Sequence, residues 1–189
     1  MRPASTLAPL ILLLATSSIA SEFQSSTAIE ATVQGRQKMC GVEFSDAEPA
    51  NSPSPHFFKA AIRQYKIDGQ DLVEFYVDAG TVLRGQKQYT TRRVPVNHGW
   101  IRTQDDLGLL LSDELRTPNQ DSYQVFTIEQ TNTALLKAIA AGKSITIGFN
   151  LNDGAYDKSF TFSPALSEEK RENLVRCMQR LERTESKAQ

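Results

Sequence analysis

The chain has 189 residues, 21 of them Lys or Arg and 22 Asp or Glu, with two histidines and a formal net charge of −1 at neutral pH. Charges so evenly balanced, with no arginine- or lysine-rich stripe, exert no long-range pull on phosphate backbones, so nucleic acid is not an expected partner. The length suits one domain of ordinary size with a core of its own.

The chain opens MRPASTLAPLILLLATSSIASEF. Arg2 and the amino terminus make a short positive region, and Leu7 to Ala15 supply an apolar run. Ser18-Ile19-Ala20 then presents small residues where a signal peptidase pocket needs them. Residues 1–20 therefore read as a secretory signal peptide cleaved after Ala20. The apolar run is well short of the roughly 20 residues needed to cross a bilayer. No cysteine lies near the cleavage site, which argues against a lipoprotein. The expected mature domain is residues 21–189, periplasmic or secreted, with no membrane span after the signal.

Polar SEFQSST (21–27) reads as a loose lead-in. AIEATVQ (28–34) and KMCGVEF (38–44) read as the first two strands, followed by DAEPANSPSP (46–55), a surface loop rich in Pro, Ser and Asn. FFKAAIRQYKI (57–67) and DLVEFYVDA (71–79) flank Asp68-Gly69, a dipeptide suited to a tight hairpin because both residues tolerate positive φ. In the second arm Val73, Phe75 and Val77 alternate with Leu72, Glu74 and Tyr76, leaving one apolar face. QYTTRRVPV (88–96), HGWIRT (98–103), LGLLLSD (107–113) and SYQVFTIEQ (122–130) continue the rhythm of short strands.

TALLKAIAAGK predicts a short helix near 132–141, capped by Thr131 or Thr133 and stopped at Gly142. SITIGFNL (144–151) and YDKSFTFS (156–163) predict a strand pair around the turn Asn152-Asp153-Gly154. The last helix is expected near 167–181, with Glu168 and Glu169 at its positive end. The expected fold is mainly β: an antiparallel β-sandwich or open barrel with these two helices.

Two cysteines in an exported chain are most simply one disulfide. Cys177 shares a helical face with Leu174, Met178 and Leu181, the spacing of a helix packing inward. Cys40 alternates with Val42 and Phe44 on one strand face. Both therefore point at the core. Neither His56 nor His98 has a spacing that ties it to either cysteine, so a reactive thiol activated by histidine is not expected.

No G-x-S-x-G, H-E-x-x-H, P-loop or G-x-G-x-x-G motif occurs, and neither C-x-x-C nor H-x-H is present, so no metal and no cofactor is expected. His98 beside Trp100 reads as a surface residue. Asp105-Asp106 and Asp113-Glu114 bracket LGLLLS and could act as general acid and base, though they read first as solvated turns. Asn150, Asn152 and Asp153 lack the closing glutamate of a calcium loop. Arg92, Arg93 and Arg102 could form a small basic patch with Trp100 near Tyr89, and Trp and Arg are favoured anchors at protein interfaces.

LLKAIAAGKSITIGFNLNDGAYDKSFTFSPAL followed by a helix, preceded by LGLLLSDELRT, resembles the C-terminal half of the invasion-associated locus B family of bacterial envelope proteins. The resemblance covers roughly residues 105–181. It lacks the extra cysteine pair that family commonly carries between those elements. It implies a periplasmic or secreted β-sandwich accessory protein with no catalytic residues to carry over. The leading expectation is an exported non-enzymatic protein that binds another protein. The alternatives are a small-ligand carrier with an apolar cavity between sheets and a hydrolase using the acidic pairs.

Overall fold

In a computed structural model of the chain, the described residues are 24–34, 36–48, 56–67, 70–84, 89–103, 115–116, 122–127, 130–151 and 158–183. The signal segment, the acidic pairs at 105–106 and 113–114, the 107–113 strand and the Asn152-Asp153-Gly154 turn lie outside them.

The elements are β1 (Ser25–Val33), β2 (Arg36–Ala47), β3 (His56–Ile67), β4 (Gln70–Arg84), β5 (Tyr89–Val94), β6 (Val96–Thr103), β7 (Leu115–Arg116), β8 (Ser122–Thr127), α1 (Gln130–Ala140), β9 (Ile145–Leu151), β10 (Lys158–Phe162) and α2 (Glu168–Arg183). They build two antiparallel sheets. The larger runs β1-β2-β3-β4-β8-β7, and the smaller runs β10-β9-β6. β4 is long enough to take two neighbours end to end on one edge. β8 pairs with Val73–Asp78, and β5 pairs with Ala79–Arg84.

The period-two alternation read from the sequence sets the faces. Val42, Phe44, Phe58, Ala60, Ile62, Phe75 and Val77 of the large sheet are buried on one side, and Ile101, Ile145, Ile147 and Phe149 of the small sheet meet them. Phe58 joins the layers, its ring centroid 4.3 Å from that of Phe160 and 5.6 Å from that of Phe149. Phe162 packs on Phe44 at 5.0 Å. Aromatic rings therefore fill the space between these parts of the sheets.

α2 lays Leu174, Cys177, Met178 and Leu181 onto the large sheet, as its spacing predicts. The predicted disulfide is present: Cys40 of β2 is bonded to Cys177 of α2 across a sequence separation of 137. The turn that follows α1 contains Gly142, whose φ of 84° only glycine adopts freely. The Gly142 and Lys143 N–H groups return to the carbonyls of Ile139 and Ala138, closing the helix with a Schellman motif. α1 begins at Gln130, so Thr131 and Thr133 lie within its first turns rather than preceding it.

Two further expectations are corrected. Ser25, Ser26 and Thr27 are not loose: they pair with Ser45, Phe44 and Glu43, so β1 starts earlier than its apolar pattern suggests. Gln24 pins that start, donating to Asp46 Oδ2 at 3.1 Å and to the Thr161 carbonyl at 2.9 Å. Nor is 88–96 one strand. Pro95 has no N–H for a ladder, and the chain changes sheets there, from β5 in the large sheet to β6 in the small one.

A latch holds the two sheets at the end of β2. Glu48 accepts from Lys158 Nζ of β10 at 2.7 Å and from the His56 backbone N–H at 3.0 Å, with the His56 ring Nδ1 at 3.2 Å. Burial alone would raise the Glu48 carboxyl, but these partners hold it below its ordinary value. His56 is thus part of a structural clasp.

Candidate functional site

The small sheet buries Gly99, Ile101 and Thr103 of β6 and Ile145, Ile147, Phe149 and Leu151 of β9 and turns the residues between them outward, with a register shift between Val96 and His98 at the start of β6. Register sets them in rows: His98 opposite Asn150, Trp100 opposite Gly148, and Arg102 opposite Thr146. On the next strand Ser159 lies opposite Gly148 and Thr161 opposite Thr146. The indole of Trp100 occupies the space a side chain at 148 would need, since a Cβ there would collide with its Cε2, Cζ2 and Nε1. Gly148 thus lets the ring rest against the sheet, where it is half-buried. Arg102, exposed and two residues along the strand, sets its guanidinium carbon 5.0 Å from the ring centroid. Thr146 and Thr161 hydroxyls bond to each other at 3.0 Å. The result is an aromatic ring seated against the sheet beside an exposed cation, on a surface that otherwise carries polar side chains and Gly148.

The large sheet's outward face holds a second polar group. Glu74 is only 2% exposed although it projects away from the core. Its Oε2 accepts from Arg63 Nη1 at 3.0 Å and from the Tyr65 hydroxyl at 2.6 Å, and its Oε1 from Gln124 Nε2 at 2.5 Å. Burial and the bond to the Glu74 carboxylate push the Tyr65 phenol up to about 12. Arg63 also lies 5.8 Å from the Tyr76 ring centroid. Burial, followed by the Asp78 charge, raises the Tyr76 phenol as well. Both Glu74 oxygens are engaged and Tyr65 spends its proton on one of them, so this cluster ties β3, β4 and β8 in register instead of offering a free base or acid.

The four residues read as an interface patch divide between the sheets. Trp100 and Arg102 come together on the small sheet. Arg92 and Arg93 lie on β5 of the large sheet, where Arg92 is exposed opposite Thr81 and Arg93 Nη2 lies 3.4 Å from Asp78 Oδ2. The side chain of Tyr89 lies outside the described residues. Among the described residues, no group of three or more His, Cys, Asp and Glu is arranged to hold a metal. Also among the described residues, no helix is long and apolar enough to cross a membrane. The sequence marks Trp100 and Arg102 by type alone. The glycine that seats the indole, forty-eight residues further on, becomes meaningful only once β9 is paired with β6.

Comparison with protein-family models, with curated proteins and with solved structures finds no match for this chain.

Proposed function

We propose that this chain is an exported, non-enzymatic binding protein whose outward small-sheet face, centred on Trp100 and Arg102, docks a protein partner. The observation that carries the reading is the seating of Trp100 over Gly148 with the exposed Arg102 guanidinium beside it. Trp and Arg dominate binding energy at protein interfaces when they are held in place before the partner arrives. Export rests on the N-terminal pattern MRPASTLAPLILLLATSSIA, and the Cys40–Cys177 bond fits an oxidising compartment. The resemblance of residues 105–181 to the invasion-associated locus B family agrees with a periplasmic or secreted accessory role.

The test is affinity capture from the native envelope fraction with the wild type and Trp100→Ala side by side. The reading expects a discrete protein that is retained by the wild type and lost by the variant, with unchanged circular dichroism. A partner captured equally by both, or a monomer that captures nothing under any condition, overturns it.

A further inference from the structure

Several arginines among the described residues already face a carboxylate: Arg63 pairs with Glu74, Arg93 with Asp78, Arg176 with Glu172 and Arg180 with Glu30. Arg102 differs. Among the described residues it has the Trp100 ring as neighbour and no carboxylate partner, and it is exposed. The rest of the outward small-sheet face, His98, Thr146, Gly148, Asn150, Ser159 and Thr161, carries no acid. A guanidinium that rests against an aromatic ring engages that ring with its π face, which leaves its in-plane N–H fork open to a carboxylate. Three strands span about 10 Å, the width of one extended segment and its side chains.

We infer that this face takes an acidic peptide segment of the partner, with a carboxylate on the Arg102 fork and a neighbouring apolar side chain against the indole of Trp100. The inference rests on the proposed function and adds the partner's chemistry to it. Charge complementarity sets the choice: the face has one exposed fixed cation and no competing anion among the described residues.

Trp100 is the single tryptophan of the chain, so its emission reports this face without labelling. The full mature protein is titrated with three acetylated peptides of repeating Glu-Gly-Leu-Gly, Gln-Gly-Leu-Gly and Lys-Gly-Leu-Gly, whose two side-chain types fall on one face of an extended segment, and separately with polygalacturonate. The Glu peptide should change the emission saturably, and the change should weaken with added salt. Arg102→Gln should weaken its binding about ten- to hundredfold, as expected for one charge-assisted contact. The Gln peptide should bind the wild type correspondingly more weakly, and the Lys peptide should not bind.

Equal binding of the Glu and Gln peptides, or an Arg102→Gln variant that binds the Glu peptide as tightly as wild type, overturns the inference. A response to polygalacturonate alone overturns it in favour of an acidic glycan. Silence with every peptide, while envelope capture still depends on Trp100, removes the acidic segment but leaves the docking face. Capture that survives Trp100→Ala removes the docking face itself.

Discussion

Cutting the Cys40–Cys177 bond gives the largest effect expected of any single change. The bond closes a loop across a separation of 137 residues, and the chain-entropy model assigns such a closure about 5 kcal/mol. A domain of this size has only about 5–15 kcal/mol in total. Both cysteines are almost completely buried, and Leu174, Met178 and Leu181 keep α2 on the sheet independently of the sulfurs. The paired change Cys40→Ala with Cys177→Ala should therefore leave a folded protein at zero denaturant but a weaker one. With a urea slope of about 2 kcal/mol/M, its unfolding midpoint should fall by roughly 2.5 M. The slope itself should rise, because the unlinked chain unfolds to a more expanded state. Urea titration followed by circular dichroism, on the oxidised wild type and the variant, reads both numbers. A midpoint shift below about 0.5 M with an unchanged slope would refute the reasoning, since the unfolded chain would then gain no freedom on losing the bond.

Gly148→Val should evict the indole, shifting Trp100 emission to longer wavelength while the sheet still forms; unchanged emission would mean the ring does not rest there. Glu74→Ala should cost about 3–5 kcal/mol by stranding Arg63 and Tyr65, and Glu74→Gln clearly less, as measured by thermal or urea unfolding. Tyr65 holds its proton more tightly in the folded state, with its pKa pushed up to about 12 against an ordinary value near 10. Its contribution to stability is therefore complete below pH 10 and lost as pH rises through 12. Spectrophotometric titration at 295 nm should lose a late-titrating phenol in Tyr65→Phe, while the raised Tyr76 phenol stays. Lys158→Ala should remove about 1 kcal/mol by opening the Glu48 latch, seen as a lower melting temperature.

The central parts of β2, β3, β4, β9 and β10 and both helices were legible because their buried faces recur with a clear period. Val73, Phe75 and Val77 mark a half-buried strand, and Leu174, Cys177, Met178 and Leu181 mark an inward helix face. The pairing of the two cysteines followed from those faces. What was not legible arises from contacts between distant segments. Ser25–Thr27 have no apolar pattern, and they are strand only because Ser45, Phe44 and Glu43 offer a ladder. Pro95 signals a break, but not that the chain crosses to another sheet. Glu74 falls on the polar side of its strand, as its alternation predicts. Its burial depends on Arg63, Tyr65 and Gln124 closing over it, and the last comes from fifty residues away. Trp100 and Arg102 were singled out, whereas the assignment of Arg92 and Arg93 to the other sheet is a property of sheet order that no local pattern encodes.

The most direct test of the central claim, that the small sheet's outward face is the recognition surface, is site-specific photo-crosslinking in the native host. A benzophenone side chain is installed at Ser159, exposed on that face, and in a parallel strain at Lys59, exposed on the large sheet. The account predicts one discrete crosslinked protein from position 159, absent from position 59 and abolished by adding Trp100→Ala. The same products from both positions, undiminished by Trp100→Ala, would contradict it.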